Sequence, residues 1–365
     1  MAGLYIHIPF CASRCIYCGF YSTTLPQLQD RYVEALCSEM ARRPSPELIE
    51  TIYLGGGTPS QLLAENLQRL FSNIYKVYDV SSSAEVTMEC NPDDIRQRMF
   101  RGLPVNRVSM GAQTFADDRL RFLHRRHTAE EVDRTVAMLR EDGIRNVSLD
   151  LMFGFPGESL ADWASDVDHC LSLHPEHISA YGLMVEEGTP LHRLVEQGKV
   201  KEIDEELSLK MYDLLVDKLT AAGYEHYEIS NFALPGYRSR HNSSYWTDTP
   251  YIGLGAAAHS YDRKTRSWNV ADINQYISGI ASGTLPSESE IIDADTHYDD
   301  IVMTALRTCE GIDLDRLDHQ HRAFLMEAAK DYLSRGLLIM KGNHLCLTRL
   351  GINISNTIMS DLMDV

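Results

Sequence analysis

Tyr5 to Cys18 reads YIHIPFCASRCIYC, a strand-like run that ends in three cysteines. In an extended chain, side chains alternate between faces, so Tyr5 and His7 share one face while Leu4, Ile6 and Ile8 share the other. The cysteines follow at once, as C-x3-C-x2-C at Cys11, Cys15 and Cys18, and the position where a fourth is expected holds Phe20. A structural zinc site closes four ligands around its metal. His7 could serve as the fourth only by an awkward reach back along the strand. A four-iron cluster is normally held by four thiolates, and with three of them one iron keeps an open coordination position. Three unrelated core cysteines are the remaining reading, and this spacing directly after a strand argues against it.

Further strand-like runs recur through the first half: TIYLGGG from Thr51, EVTMEC from Glu85, RVSMGAQ from Arg107, NVSLDLMFG from Asn146 and HISAYGLMV from His177. Between them lie segments with helical spacing, among them TAEEVDRTVAMLREDG, in which Thr128 and Glu131 form a capping box and Gly143 a stop. Strands alternating with helices predict a parallel sheet, and six such units predict an α/β fold built as a closed or partly closed barrel. A doubly wound sheet gives the same alternation. From Asp204 the pattern changes to one long helix, then an irregular, aromatic-rich stretch, YEHYEISNFALPGYRSRHNSSYW. The last part reads as helices followed by LLIMKGNHLCLT, where Gly342-Asn343 marks a two-residue hairpin. The expected organisation is therefore a barrel over 1–203, a barrel-completing helix and irregular region over 204–298, and a small α+β, winged-helix-like domain over 299–365.

Composition narrows the partners. With 34 basic and 52 acidic residues the net charge is −18, which argues against nonspecific binding to nucleic acid and against charge-driven binding to an anionic membrane. Membrane contact is expected only through a partner. No stretch is apolar for long enough to span a bilayer, and the N-terminus lacks signal-peptide features, so the expected compartment is the cytoplasm. There the eight cysteines stay reduced, and a close cluster reads as metal-binding or catalytic. Cys37, Cys90, Cys170, Cys309 and Cys346 read as core or packing residues.

The strand ends carry small and polar residues: the cysteines after the first, Gly55 to Ser60 after the second, Glu89 and Asn91 after the third, Gln113 after the fourth, Asp150 and GFPGES after the fifth. In a β-α barrel, chemistry gathers at the C-terminal ends of the strands. One polar group per strand end, repeated, reads as a site rather than as solvated turns.

YIHIPFCASRCIYCGF, GGGTPS, ECNPDD, RVSMGAQTF and LDLMFGFPGES together resemble the radical S-adenosylmethionine (radical SAM) superfamily. More narrowly they resemble the branch of oxygen-independent coproporphyrinogen III oxidases and HemW-type heme chaperones, over essentially the whole chain. The resemblance implies a partial (β/α)6 TIM-like barrel with a [4Fe-4S] cluster on Cys11, Cys15 and Cys18, and S-adenosylmethionine on the open iron. It further implies that Tyr17 packs near the adenine, that Gly56, Gly57 and Thr58 lie along the methionine portion, and that Glu89 and Tyr5 belong to the same site. Gln113, Arg125 and Asp150 match positions that line a second S-adenosylmethionine in the oxidases. Phe20 in place of a cysteine, the short segment before Leu4, and the HNSSY stretch starting at His241 match the chaperones, in which HNxxY is associated with heme. His241 is then the candidate heme ligand, since neutral imidazole suits iron.

Two functions follow from the resemblance. The chain is a heme chaperone that passes heme to an acceptor protein, or it is an enzyme that oxidatively decarboxylates coproporphyrinogen III, or another radical SAM enzyme, with an electron donor as partner. Kinship of fold does not separate these. The missing oxidase features favour the chaperone.

Overall fold

The computed structural model describes residues 2–364, so the outermost residues of the first and last expected domains, Met1 and Val365, lie outside the described residues. Six strands form the centre: β1 (Ala2–Ile8), β2 (Ile49–Gly56), β3 (Val80–Cys90), β4 (Arg107–Gln113), β5 (Asn146–Phe153) and β6 (His177–Gly182). They pair in sequence order and all run parallel. The intervening helices include α1 (Gln29–Arg42), α2 (Ala64–Val77), α3 (Asp117–Phe122), α4 (Ala129–Glu141) and α5 (Leu160–Ser172). Parallel strands need such crossovers, which leave one face of the sheet covered by helices.

The alternation along β1 behaves as expected. Leu4, Ile6 and Ile8 are fully buried in the main core, while the Tyr5 hydroxyl lies 3.0 Å from His7 Nδ1 on the opposite face. The capping box at Thr128 is present, and Gly143 ends α4 with φ of +91°. The doubly wound alternative is excluded by strand order, since β1 to β6 follow one another without a switch point.

The barrel stays open. After α6 (Pro190–Glu196) and α7 (Glu205–Ala221), strands β7 (Glu225–Glu228) and β8 (Asn231–Ala233) extend the β6 edge antiparallel. Beyond α8 (Arg240–Trp246), strand β9 (Tyr251–Leu254) joins β1 in parallel, followed outward by β10 (His259–Tyr261), β11 (Thr265–Asn269) and, after α9 (Ile273–Ala281), β12 (Ser287–Ile291). The result is one twelve-stranded sheet. The stretch read as irregular thus contains two short strands and a short helix, β7, β8 and α8, and His241 lies on the helix rather than in a loop. Ser239 caps α8, its side chain accepting from Asn242 N–H.

From α10 (Ala294–Ala305) onward a second hydrophobic cluster forms around Ile301, Leu325, Leu345 and Ile358. Its three-stranded antiparallel sheet contains β13 (Ile312–Asp313), β14 (Leu338–Lys341) and β15 (His344–Leu347) in the order β13-β15-β14. Gly342, at φ of +62°, turns the expected hairpin. Of the cysteines read as packing residues, Cys90, Cys170 and Cys346 are buried, Cys37 is half-buried, and Cys309 is exposed, with Arg238 Nη2 3.8 Å from its sulfur.

Candidate functional site

Side chains from β1 to β5 and the segments that follow them line a single cavity of about 270 Å³ at the C-terminal ends of the strands. Cys11, Cys15 and Cys18 form one wall with Tyr17, and Tyr5, Glu89, Gln113, Arg125 and Asp150 line the rest with Gly56, Gly57 and Thr58. Twelve candidates read from sequence therefore meet in one place. His241 does not line this cavity.

The cysteine loop is fixed by its neighbours. Thr58 Oγ1 lies 3.5 Å from Cys11 Sγ. Arg125 donates from Nη1 to Cys15 Sγ at 3.6 Å and from Nη2 to Asn91 Oδ1 and Gly111 O, each at 2.7 Å. Burial raises the Cys11 and Cys18 thiols, and the positive charge of this half-buried guanidinium partly offsets that at Cys11. Among the described residues, no three His, Cys, Asp or Glu side chains converge on a single-ion position. The donor set fits three ligands and an open corner, and Phe20, 76% exposed, has no donor atom for a fourth.

The glycines of the β2 end pack against the chain itself. A Cβ at Gly57 would stand 2.6 Å from the Pro9 carbonyl carbon, and one at Gly56, where φ is +107°, would stand 2.4 Å from the His7 ring. Their small size lets the loop after β2 lie directly on the end of β1, which brings Thr58 to Cys11. Gly56 N–H also donates to Glu89 Oε2 at 3.0 Å.

Two carboxyls sit at the floor. Glu89 accepts from the Tyr53 hydroxyl at 2.8 Å, and burial pushes its pKa up to about 7. Asp150 accepts from Ser109 Oγ at 3.2 Å, and burial pushes its pKa up to about 6. Burial likewise raises the Tyr17 phenol. Gln113 closes β4 in the left-handed region, φ +67°, which re-aims the strand end next to Arg125. Sequence reading missed Tyr53, Ser109 and Gly111, a glycine whose Cβ would meet Gln113 Nε2 at 2.6 Å. The two-residue period of β2 and β4 carried that signal, because each shares a face with a residue already singled out.

His241 lies behind this floor and is fully buried. Its Nδ1 is 2.8 Å from Thr51 Oγ1 and its Nε2 2.8 Å from the Tyr245 hydroxyl. Its backbone N–H donates to Glu85 at 3.0 Å. Burial drives its pKa down to about 3, so the ring is neutral. The H and Y of HNSSY are thus hydrogen-bond partners one helical turn apart.

A second, larger cavity of about 580 Å³ adjoins the first, sharing Tyr5 and Phe20 with it. Tyr245 and Trp246 from α8 and Tyr251 from β9 line it, and α10 closes its far side.

An open parallel barrel with a C-x3-C-x2-C loop at the mouth of its first strand defines a radical SAM protein, and residues 5–170 match the radical SAM superfamily. Residues 292–354 match the HemN C-terminal domain. The chain is 36% identical to the heme chaperone HemW of Bacillus subtilis, covering 98% of each chain. It is likewise 36% identical to that of Mycobacterium tuberculosis, over 99% of this chain and 94% of the relative. It belongs to the heme chaperone HemW family. In structure it is similar to the coproporphyrinogen III oxidase HemN of Escherichia coli, with a TM-score of 0.86 at 21% identity over 100% of this chain and 90% of the other. That likeness establishes the fold. The radical SAM family implies a [4Fe-4S] cluster and S-adenosylmethionine. No helix among the described residues is long and apolar enough to cross a membrane.

Proposed function

We propose that this protein holds heme and passes it to an acceptor protein. The observation that carries this reading is the end-to-end similarity to heme chaperones, 36% over 98% of both chains. In this reading Cys11, Cys15 and Cys18 hold a [4Fe-4S] cluster, which supplies one-electron chemistry and an open coordination position, with the electron coming from a partner protein. Tyr17, Gly56, Gly57 and Thr58 line the space for S-adenosylmethionine. Glu89, at about pH 7, and Asp150, at about pH 6, exchange protons in the physiological range, so each can accept a hydrogen bond or donate one there. Arg125 orients the cysteine loop and screens its charge. Gln113, Arg125 and Asp150 line the same cavity as the cysteines, and we assign them to that one S-adenosylmethionine rather than to a second. His241 is retained as a residue on which heme binding depends.

The test is an anaerobic hemin titration of the cluster-reconstituted protein, followed by absorbance. Saturable one-to-one binding is expected, and no binding overturns the reading. In parallel, purified holoprotein should leave coproporphyrinogen III unchanged. Efficient conversion would make the protein an oxidase instead.

A further inference from the structure

The larger cavity contains more than the heme-associated motif accounts for. Its walls are largely aromatic, and its volume of about 580 Å³ lies within the usual range for a small-molecule or cofactor pocket, about 300–1,000 Å³. Three histidines line it, His7, His259 and His297, and His241 stands one layer behind Tyr245. An iron at the centre of a flat macrocycle needs an imidazole nitrogen with an open lone pair.

Two of the four histidines have both ring nitrogens hydrogen-bonded, and a third has its Nε2 buried. His7 has Nδ1 on the Tyr5 hydroxyl and Nε2 on the Tyr21 carbonyl, each at 3.0 Å. His241 is sealed between Thr51 and Tyr245. To reach the cavity it would have to give up both hydrogen bonds in a water-free site, where unpaired donors and acceptors are costly, and swing past the Tyr245 ring. His297 Nε2 is buried, with no exposed surface from which to meet an iron in the cavity, and its nearest acidic neighbour is Asp248 Oδ1 at 3.4 Å, without hydrogen-bond geometry. His259 differs. It is exposed to the cavity from β10, its ring lies on Trp268 at 6.0 Å between centroids and 30° between planes, and its ring nitrogens have no hydrogen-bond partner among the described residues. Partial burial, and then the charge of Arg266, lower its pKa, which keeps the imidazole neutral.

The acidic groups on the wall do not oppose an anionic ligand. Asp248 is paired with Arg316 at 2.9 Å and Asp300 with Arg266 at 2.6 Å.

We propose that this cavity binds the iron porphyrin with His259 as the protein's axial ligand, while His241 is a positioning residue that holds Tyr245 as part of the wall. The assignment rests on the heme reading above and adds to it the site and the ligand. HNSSY then acts through packing: the motif's histidine fixes its tyrosine, and the tyrosine shapes the surface that the macrocycle lies on.

The experiment is an anaerobic hemin titration of the cluster-reconstituted full chain, with absorbance and electron paramagnetic resonance spectra of the complex. Wild type is compared with His259→Ala, His241→Ala and His297→Ala, each checked for folding by circular dichroism. His259→Ala should weaken binding by about tenfold or more and lose the histidine-ligated spectrum, and added imidazole should restore it. His241→Ala should weaken binding and keep that spectrum. His259→Gln, which keeps a polar side chain at the position, should behave like His259→Ala. A histidine-ligated spectrum that survives in both His259 variants, or that is lost in His241→Ala or His297→Ala instead, overturns the assignment and leaves the heme reading intact. Failure of the wild type to bind hemin overturns both.

Discussion

Arg107 is 1% exposed at the start of β4, and its Nε and Nη1 have no hydrogen-bond partner among the described residues. Its charge acts on Glu89, Asp150 and His241, lowering the pKa of each. Burial remains the larger cause, raising both carboxyls and lowering His241; the arginine offsets part of the first shift and adds to the second. Nothing in RVSMGAQ marks this arginine, because a charged residue opening a strand reads as solvated. Only the curl of the sheet turns it inward. The buried carboxyls carry a pH dependence with a definite sign. Glu89 moves from 4.5 to about 7 on folding, so between those values the unfolded chain binds fewer protons than the folded one. Stability of the ligand-free protein should therefore fall as pH rises through this window, by on the order of 3 kcal/mol from Glu89, and level off above it. Denaturant midpoints from pH 4 to 8 measure this, and Glu89→Gln should flatten the curve. An unchanged slope in that variant would assign the dependence elsewhere. At the cluster, Cys15→Ala should abolish the broad iron–sulfur absorbance of reconstituted protein, since two thiols remain for a site built on three. Full absorbance in the variant would show that the ligands are not these.

Among the elements, β1 was legible almost residue by residue, because a strand covered on one face and lining a site on the other must alternate. The β2 end was legible as a glycine loop that lines the cavity, but not for its packing against the chain itself: Gly57 lets the Ile8 and Pro9 backbone pass, and Gly56 makes room for the His7 ring. Gly57→Ala should thus cost about 1–3 kcal/mol by overpacking, since the Cβ would meet backbone that cannot rotate away. A thermal melt of the cluster-free protein tests this apart from any effect on cofactor binding. A melting temperature equal to wild type would mean that the loop yields. Helix α8 was missed because seven residues rich in serine and aromatics carry little helical propensity. What holds it is the Ser239 cap and the burial of His241, whose backbone N–H is tied to Glu85 on β3. At the outer edge, β12 is exposed along its length and carries Glu288 and Glu290, charges that discourage pairing with another chain.

On the scale of the molecule, the barrel core draws on residues as late as Ile280, while Tyr298 to Leu362 pack around a core of their own. The two are joined by polar links such as Arg238 to Glu310 and Arg349 to Asp213, at 2.7 and 2.9 Å. Removing volume from the second core by Leu325→Ala, at a fully buried position, should cost about 2–5 kcal/mol. Reconstituted cluster absorbance at room temperature should be unchanged, because no cysteine of the site contacts that core. Loss of the cluster in this variant would show that the two parts fold as one. The sequence by itself determined the strand-helix alternation, the cysteine loop, the capping of α4, the hairpin at Gly342 and the family, since each is written in neighbouring residues with a fixed period or spacing. The tertiary structure alone decided that β9 seats beside β1 to leave the barrel open, that Arg107 faces Glu89 and Asp150, and that the His241 ring is sealed between Thr51 and Tyr245. Those outcomes depend on pairs such as Thr51 and His241, 190 positions apart, whose approach is set by how the whole sheet curls and not by any local pattern.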